Sequence, residues 1–252
     1  MLKFKKLNRA LALCLCFVMM FSITAFAADT SNELLPLSVV EFFADQGYEI
    51  SRTAKMELIQ DVSQASLYGV NSSTDDQNYT LRIIEQNGNE VTVYNTILLT
   101  ENEAGVYERD DDILEYMTRA VGDPIDSGSS VIANKIALTA RTSYTTGIIQ
   151  TVATVYKPTG LSFSYSTYTQ CNVGSISVTY STKGTAYSGL NSTTPVAYDY
   201  RYPIIKTASA PAAGNLYSTS VPCPYYIDTA YGGMALTYAV KIDGGSYAGD
   251  LT

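Results

Sequence analysis

The sequence predicts a mostly β protein: a C-terminal antiparallel β-sandwich or small barrel, preceded by a smaller α+β unit with an Asn-Gly hairpin. Three observations carry this. Leu161, Phe163 and Tyr165 alternate with Ser162, Ser164 and Ser166, and Ile176, Val178 and Tyr180 resume the alternation after Cys171. A period of two over a Ser/Thr/Tyr background marks strands with one buried face. Composition also breaks near residues 121–130: residues 29–126 hold 20 acidic and 5 basic residues, against 4 and 7 in residues 127–252. Of the 21 tyrosines, 15 lie at or after Tyr144, beside a single phenylalanine, Phe163. A shift in both charge and aromatic type predicts two structural units. Finally, the second unit is punctuated by Gly, Pro, Ser and Asn at intervals that suit six or more short strands.

Residues 1–27 read as a signal peptide. Lys3, Lys5, Lys6 and Arg9 form a positive start, residues 10–24 an apolar stretch, and Ala25-Phe26-Ala27 a small-residue cleavage site. Cys14 and Cys16 lie inside the apolar stretch, outside the context that lipidation needs. The expected product is secreted and extracellular, from a Gram-positive-like cell, with no stable membrane insertion after cleavage. Losing four basic residues takes the formal charge from -8 to -12. A surface that acidic disfavours nucleic acid and anionic membranes as partners.

Residues 28–122 form the acidic α+β unit. Leu35, Val39, Phe42 and Phe43 share one helical face, Pro36 suits the first turn, and Gly47 ends the helix. Ser51 is a candidate N-cap for a second short helix carrying Ala54, Leu58 and Ile59. Residues 65–70 read as a strand and 71–78 as a loop. Residues 79–86 and 89–99 flank Asn87-Gly88, which favours a type I′ turn and would set Ile84 opposite Val91. Both faces of that hairpin carry apolar groups, so helices are expected over one of them. Residues 101–111 are acidic and irregular. Residues 112–121 form a helix with Ile113, Met117, Ala120 and Val121 buried and Asp112 and Glu115 at capping-box spacing. Residues 123–130 are the linker.

Residues 131–252 form the Tyr/Ser/Thr-rich β domain. Ile132, Ile136, Leu138 and Ala140 share one parity, although residues 133–140 suit helix or strand. Residues 149–156 form a strand, Lys157-Pro158-Thr159-Gly160 a turn, and residues 161–169 and 173–181 the central pair. Residues 182–195 read as a long polar loop, followed by a strand over 196–202 in which Tyr198, Tyr200 and Tyr202 share a face against Asp199 and Arg201. Short strands are expected at 216–221 and 225–229, and a last one at 234–242 with Leu236, Tyr238, Val240 and Ile242 inward; Gly244, Gly245 and Gly249 make a loose tail.

The chain has no histidine, which excludes Ser-His-Asp and Cys-His hydrolysis, histidine metal sites and histidine bases. It has no tryptophan for sugar stacking and no phosphate-binding Gly loop. Lys183-Gly184-Thr185 lacks a Ser-x-x-Lys partner, so it reads as a solvated strand end. No catalytic residue, metal or cofactor is assigned. The acidic run 101–112 reads as a solvated loop rather than a calcium site, since EF-hand spacing is missing. Cys171 and Cys223 are the expected disulfide of an oxidising compartment. Tyr198, Tyr200, Tyr202 and Tyr225 are the candidate ligand-binding residues, because tyrosine brings area and a hydroxyl at little entropic cost.

The function expected from these features is a non-enzymatic binding or surface-interaction protein, with a glycan or surface protein as partner. Two rivals are a carboxylate-dependent glycan-active enzyme and a precursor whose acidic first unit masks a toxin-like or antimicrobial second unit. Intact mass of the protein from culture supernatant should place the mature start at Ala28; a membrane-retained product beginning at Met1 would overturn the processing.

Overall fold

A computed structural model describes residues 34–60, 79–110, 112–120, 135–149, 153–167 and 171–251. Among the described residues the fold is mostly β, with two short helices, α1 (Leu37–Asp45) and α2 (Ile113–Ala120). The strands are β1 (Lys55–Gln60), β2 (Tyr79–Asn87), β3 (Glu90–Glu101), β4 (Tyr107–Asp110), β5 (Lys135–Ile149), β6 (Ala153–Thr167), β7 (Val173–Tyr187), β8 (Ala197–Ser209), β9 (Tyr217–Ser220), β10 (Tyr226–Ile242) and β11 (Gly245–Asp250). They form one antiparallel sheet in the order β1-β2-β3-β5-β6-β10-β7-β8, with β4 on β3, β9 on β6 and β11 on β10. β8 runs near β9 without pairing to it, so the sheet stays open.

The sheet crosses the compositional boundary without interruption. β3 and β5 pair from Glu90↔Thr145 to Thr100↔Lys135. The linker 123–130, the strand expected at 65–70 and the loop at 71–78 lie outside the described residues.

Each face of the central strands has its own core. On one face, Phe42 and Phe43 of α1 and Ile113, Tyr116 and Met117 of α2 cover Leu81, Ile83, Tyr94, Leu98 and Ala137. Here Val39, Phe42 and Phe43 of α1 and Ile113 and Met117 of α2 face the sheet as their spacing predicts, while the expected burial of the Ala120 and Val121 side chains lies outside the described residues. On the opposite face, Ile97, Leu99, Ile136, Leu138, Leu161 and Phe163 join Ile176, Val178, Tyr180, Leu236, Val240 and Ile242 from β7 and β10. Asp110 ties the first region together. Its carboxylate accepts from Lys135 Nζ at 2.6 Å and from the Asp112 amide at 2.9 Å. Burial raises the Asp110 carboxyl, but Lys135, Thr100 and the Asp112 amide outweigh it and hold the group below the ordinary carboxylate range.

Several local expectations are corrected. Residues 55–60 are strand β1, paired to β2 from Lys55↔Ile84 to Gln60↔Tyr79, because Met56 and Leu58 alternate onto the helix-covered face. The first hairpin turns at Gly88-Asn89, with Asn87↔Glu90 and Ile84↔Val93 as partners. Gly88 alone has positive φ, at 59°, which fits type II′ rather than I′. The type I′ dipeptide is Asp243-Gly244, at φ 48° and 87°, and it folds the glycine-rich tail back as β11. Residues 107–110 are strand β4 inside the acidic run. Lys157-Pro158-Thr159-Gly160 is no turn: it lies within β6, where a register shift between Ser143 and Tyr144 leaves Thr159 unpaired. Residues 182–187 extend β7, which shortens the polar loop. The segments 225–229 and 234–242 are one strand, β10, broken by a register shift between Asp228 and Gly233.

At that shift two backbones nearly touch. A Cβ at Gly184 would lie 1.9 Å from the Asp228 carbonyl oxygen, and one at Gly232 would lie 1.9 Å from that of Lys183. Only glycine fits such an approach. Gly184→Ala is therefore expected to destabilise the fold by about 3 kcal/mol, read as a lower urea midpoint. An unchanged midpoint would show that the β7–β10 crossing is not tight.

Candidate functional site

The register builds a polar surface beside the helix-covered core. Residues paired across neighbouring strands share a face, as do residues two apart along each strand. One row reads Glu85, Thr92, Ser143, Gly160 and Ser220 across β2, β3, β5, β6 and β9. The next reads Ile83, Tyr94, Arg141, Ser162 and Ser218. These two rows carry a hollow of about 430 Å³, lined by Thr92, Arg141, Ser143, Ser162, Ser218 and Ser220 among others. A second hollow of about 340 Å³ lies beside it, with Ser51, Glu85 and Gln86 in its wall, and shares Glu90 and Thr92 with the first.

Arg141 is the cation of the larger hollow. Its guanidinium carbon stands 5.9 Å from the centre of the Tyr94 ring, within cation–π range. Tyr94 is held in turn by edge contacts with Phe43 and Tyr48, at 5.6 and 5.4 Å between centroids. Its hydroxyl donates to Glu85 Oε2 at 3.0 Å, and Glu85 Oε1 accepts from the Ser51 amide at 2.6 Å. Burial and the Glu85 carboxylate push the Tyr94 phenol upward, so it stays protonated and keeps donating. Both Glu85 oxygens are thus engaged, and neither pairs with Arg141. Among the described residues Arg141 makes no ion pair, and its buried Nε has no hydrogen-bond partner. A buried donor left unpaired costs roughly 1–3 kcal/mol, so it calls for a reason.

Ser162 lies at the floor of the same hollow. It pairs with Arg141 across β5 and β6, is 4% exposed, and lines the hollow. The Tyr48 phenol lies close to it but donates instead to the Thr139 carbonyl at 3.3 Å, and Ser162 Oγ makes no hydrogen bond of normal geometry. The serine side of β6, expected to face solvent, is buried as well: Ser164 is enclosed and its hydroxyl also lacks a partner.

The sequence-predicted tyrosines lie elsewhere. Asp199 sits at φ 54° beside a register shift between Gly184 and Ala186, and this breaks the expected stripe. Tyr198 points out, 78% exposed, while Tyr200 and Tyr202 pack against the core. Their rings stack at 6.3 Å, and Tyr225 meets Tyr200 edge-on at 5.3 Å. Asp199 pairs with Lys183 at 3.0 Å. The described residues include no group of three or more acidic or cysteine ligands that could hold a metal.

The expected disulfide is absent, since Cys171 and Cys223 are free thiols. Their surroundings differ. Cys171 lies near Tyr107 and Tyr165 and shares a 3.7 Å contact with Thr167 Oγ1, whereas Cys223 is buried near Tyr180 and Tyr200 and donates to the Tyr225 carbonyl at 3.4 Å. Burial raises both thiols above their ordinary values, so they are poor nucleophiles at neutral pH.

Arg141 and its serines were missed because no motif announces them. The available signal was the strict serine alternation at Ser162, Ser164 and Ser166, together with a lone arginine in the strand that pairs with it. Tyr198→Ala should leave thermal stability within about 0.5 kcal/mol, whereas Tyr200→Ala, which loses two ring contacts, should cost about 2 kcal/mol. Equal effects in a melting comparison would contradict the broken stripe.

With this geometry in hand, the chain was compared with known proteins: no family model matches it, and neither the curated proteins nor the solved structures give a match.

Proposed function

We propose that the protein is a secreted, non-enzymatic binding protein and that the Arg141 hollow takes one saccharide unit of its ligand. The observation that carries this is the in-register set of hydroxyls, Thr92, Ser143, Ser162, Ser218 and Ser220, around a guanidinium that makes no ion pair among the described residues. Hydroxyl groups that both donate and accept suit a polyhydroxylated ligand. The volume of about 430 Å³ falls in the size range of small-molecule sites. A sandwich-like arrangement suits this reading, with β7, β10 and β8 folded over β3, β5 and β6 so that their shared core holds the hollow's floor rigid.

The β3–β5 register weighs against the precursor reading, because the acidic region supplies strands to the same sheet as the rest. The carboxylate-enzyme reading would need a second free carboxylate beside Glu90, since Glu85 has both oxygens engaged. Tyr198 remains a separate exposed ring that a surface partner could use.

The test is a glycan panel probed with the purified protein. Binding is expected, with Ser162→Ala and Ser143→Val each lowering affinity at least threefold at unchanged melting temperature. Absence of binding to every glycan overturns the saccharide reading, and turnover abolished by Glu90→Gln would replace it with the enzyme.

A further inference from the structure

We infer that the Arg141 hollow is an anion subsite and that its ligand is an acidic saccharide bearing a single carboxylate. This rests on the saccharide reading above and adds the charge of the ligand. Arg141 is fixed from below by the Tyr94 ring, and the carboxylate that could have neutralised it, Glu85, is instead held by the Tyr94 hydroxyl and the Ser51 amide. The protein thus keeps an acidic group next to its arginine's support while the guanidinium makes no ion pair among the described residues and its buried Nε has no hydrogen-bond partner. A planar guanidinium presents a fork of donors that matches a carboxylate. Ser162, its register partner, is an enclosed hydroxyl that lies against the Tyr48 phenol and helps shape the floor of the hollow. A guanidinium with no ion pair among the described residues calls for an acceptor-only group, and a carboxylate is such a group.

The surroundings limit how much negative charge the ligand carries. Glu90 lines the same hollow and stands exposed at its rim, and the chain as a whole has a formal charge of -8. A densely sulfated chain would meet repulsion from both. A sugar with one carboxylate would set that group on Arg141 and turn its hydroxyls toward Glu90 and the serine and threonine ring. Charge and shape together therefore favour a uronate-type unit over a neutral sugar or a polyanion.

Titration calorimetry on the full secreted protein tests this with four probes: a glucuronate-terminated disaccharide, its methyl ester, the matching glucose-terminated disaccharide, and heparin as a polysulfated control. The uronate should bind at least tenfold more tightly than its ester and the neutral sugar, with heparin weakest at physiological salt. Arg141→Gln should erase the tenfold preference while leaving weak neutral-sugar binding, and Arg141→Lys should restore part of it. Because the ester comparison uses the unaltered protein, the inference stays falsifiable even where a variant misfolds. Equal binding of uronate, ester and neutral sugar overturns the anion subsite and leaves the saccharide reading standing. Tighter binding of heparin than of the uronate overturns the single-charge assignment. Failure of every saccharide overturns both.

Discussion

Strands β3, β5 and β6 are buried on both faces, and the other elements are arranged to satisfy that constraint. Ile97 and Leu99 of β3 point into one core while Leu98 between them points into the other. Ala137 and Leu138 of β5 divide in the same way. A strand covered on one side only would expose alternate apolar residues to water at roughly 25 cal/mol per Å². Two coverings are therefore needed. The helices supply one, and on the other face the apolar residues share a core with β7 and β10. Two-sided burial is more usual in parallel sheets flanked by helices. Here helices lie on one face of an antiparallel sheet, and on the other face the apolar residues of β3, β5 and β6 join one core with those of β7 and β10.

That second covering requires irregular backbone. The sheet passes from β6 to β7 through β10, which pairs with β6 only at Ile227↔Tyr156 and Asp228↔Val155 before its register shifts. Gly184 and Gly232 permit the close approach at that shift. The bulge opposite Pro158 has a related origin: proline lacks the amide a regular ladder would use, and the skipped Thr159 restores the pairing beyond it. Gly160 then faces Ser143 and Ser220 without a side chain, and this opens the floor of the Arg141 hollow. The same bulge that accommodates a proline thus shapes the candidate site.

Local signals carried much of the strand content and little of its assembly. Alternation at Leu161, Phe163 and Tyr165, at Ile176, Val178 and Tyr180, and at Leu236, Tyr238 and Val240 identified the face that is buried in one core. The helix stripes at Phe42 and Phe43 and at Ile113 and Met117 were equally readable. Period two does not say whether the other face is wet, so the enclosure of Ser162 and Ser164 was hidden. Charge partition suggested two units, but backbone pairing is indifferent to net charge and β3 joined β5 across the boundary. Tyr198, Tyr200 and Tyr202 alternate cleanly in sequence, and one left-handed residue, Asp199, was enough to part them. The candidate site depends on four-strand register, which no single stretch encodes.

The position of the hollow follows from the length of the helix layer. A helix of nine residues such as α1 extends about 14 Å. Strands lie about 4.8 Å apart, so even a helix laid straight across them covers roughly three. The packing of α1 and α2 is used on β2, β3 and the start of β5, where the apolar residues lie. Beyond that reach the same face must change chemistry, and it does: Tyr94 gives way to Arg141, then Ser162, then Ser218 along a single row. An uncovered sheet face could have been closed with apolar side chains and a longer helix, or left wholly solvated with charges. It is instead lined with short hydroxyls around one cation, Arg141, that makes no ion pair among the described residues. Short side chains leave depth, hydroxyls leave hydrogen-bonding capacity, and the Arg141 guanidinium has no ion pair among the described residues; these are the features on which the proposed ligand reading rests.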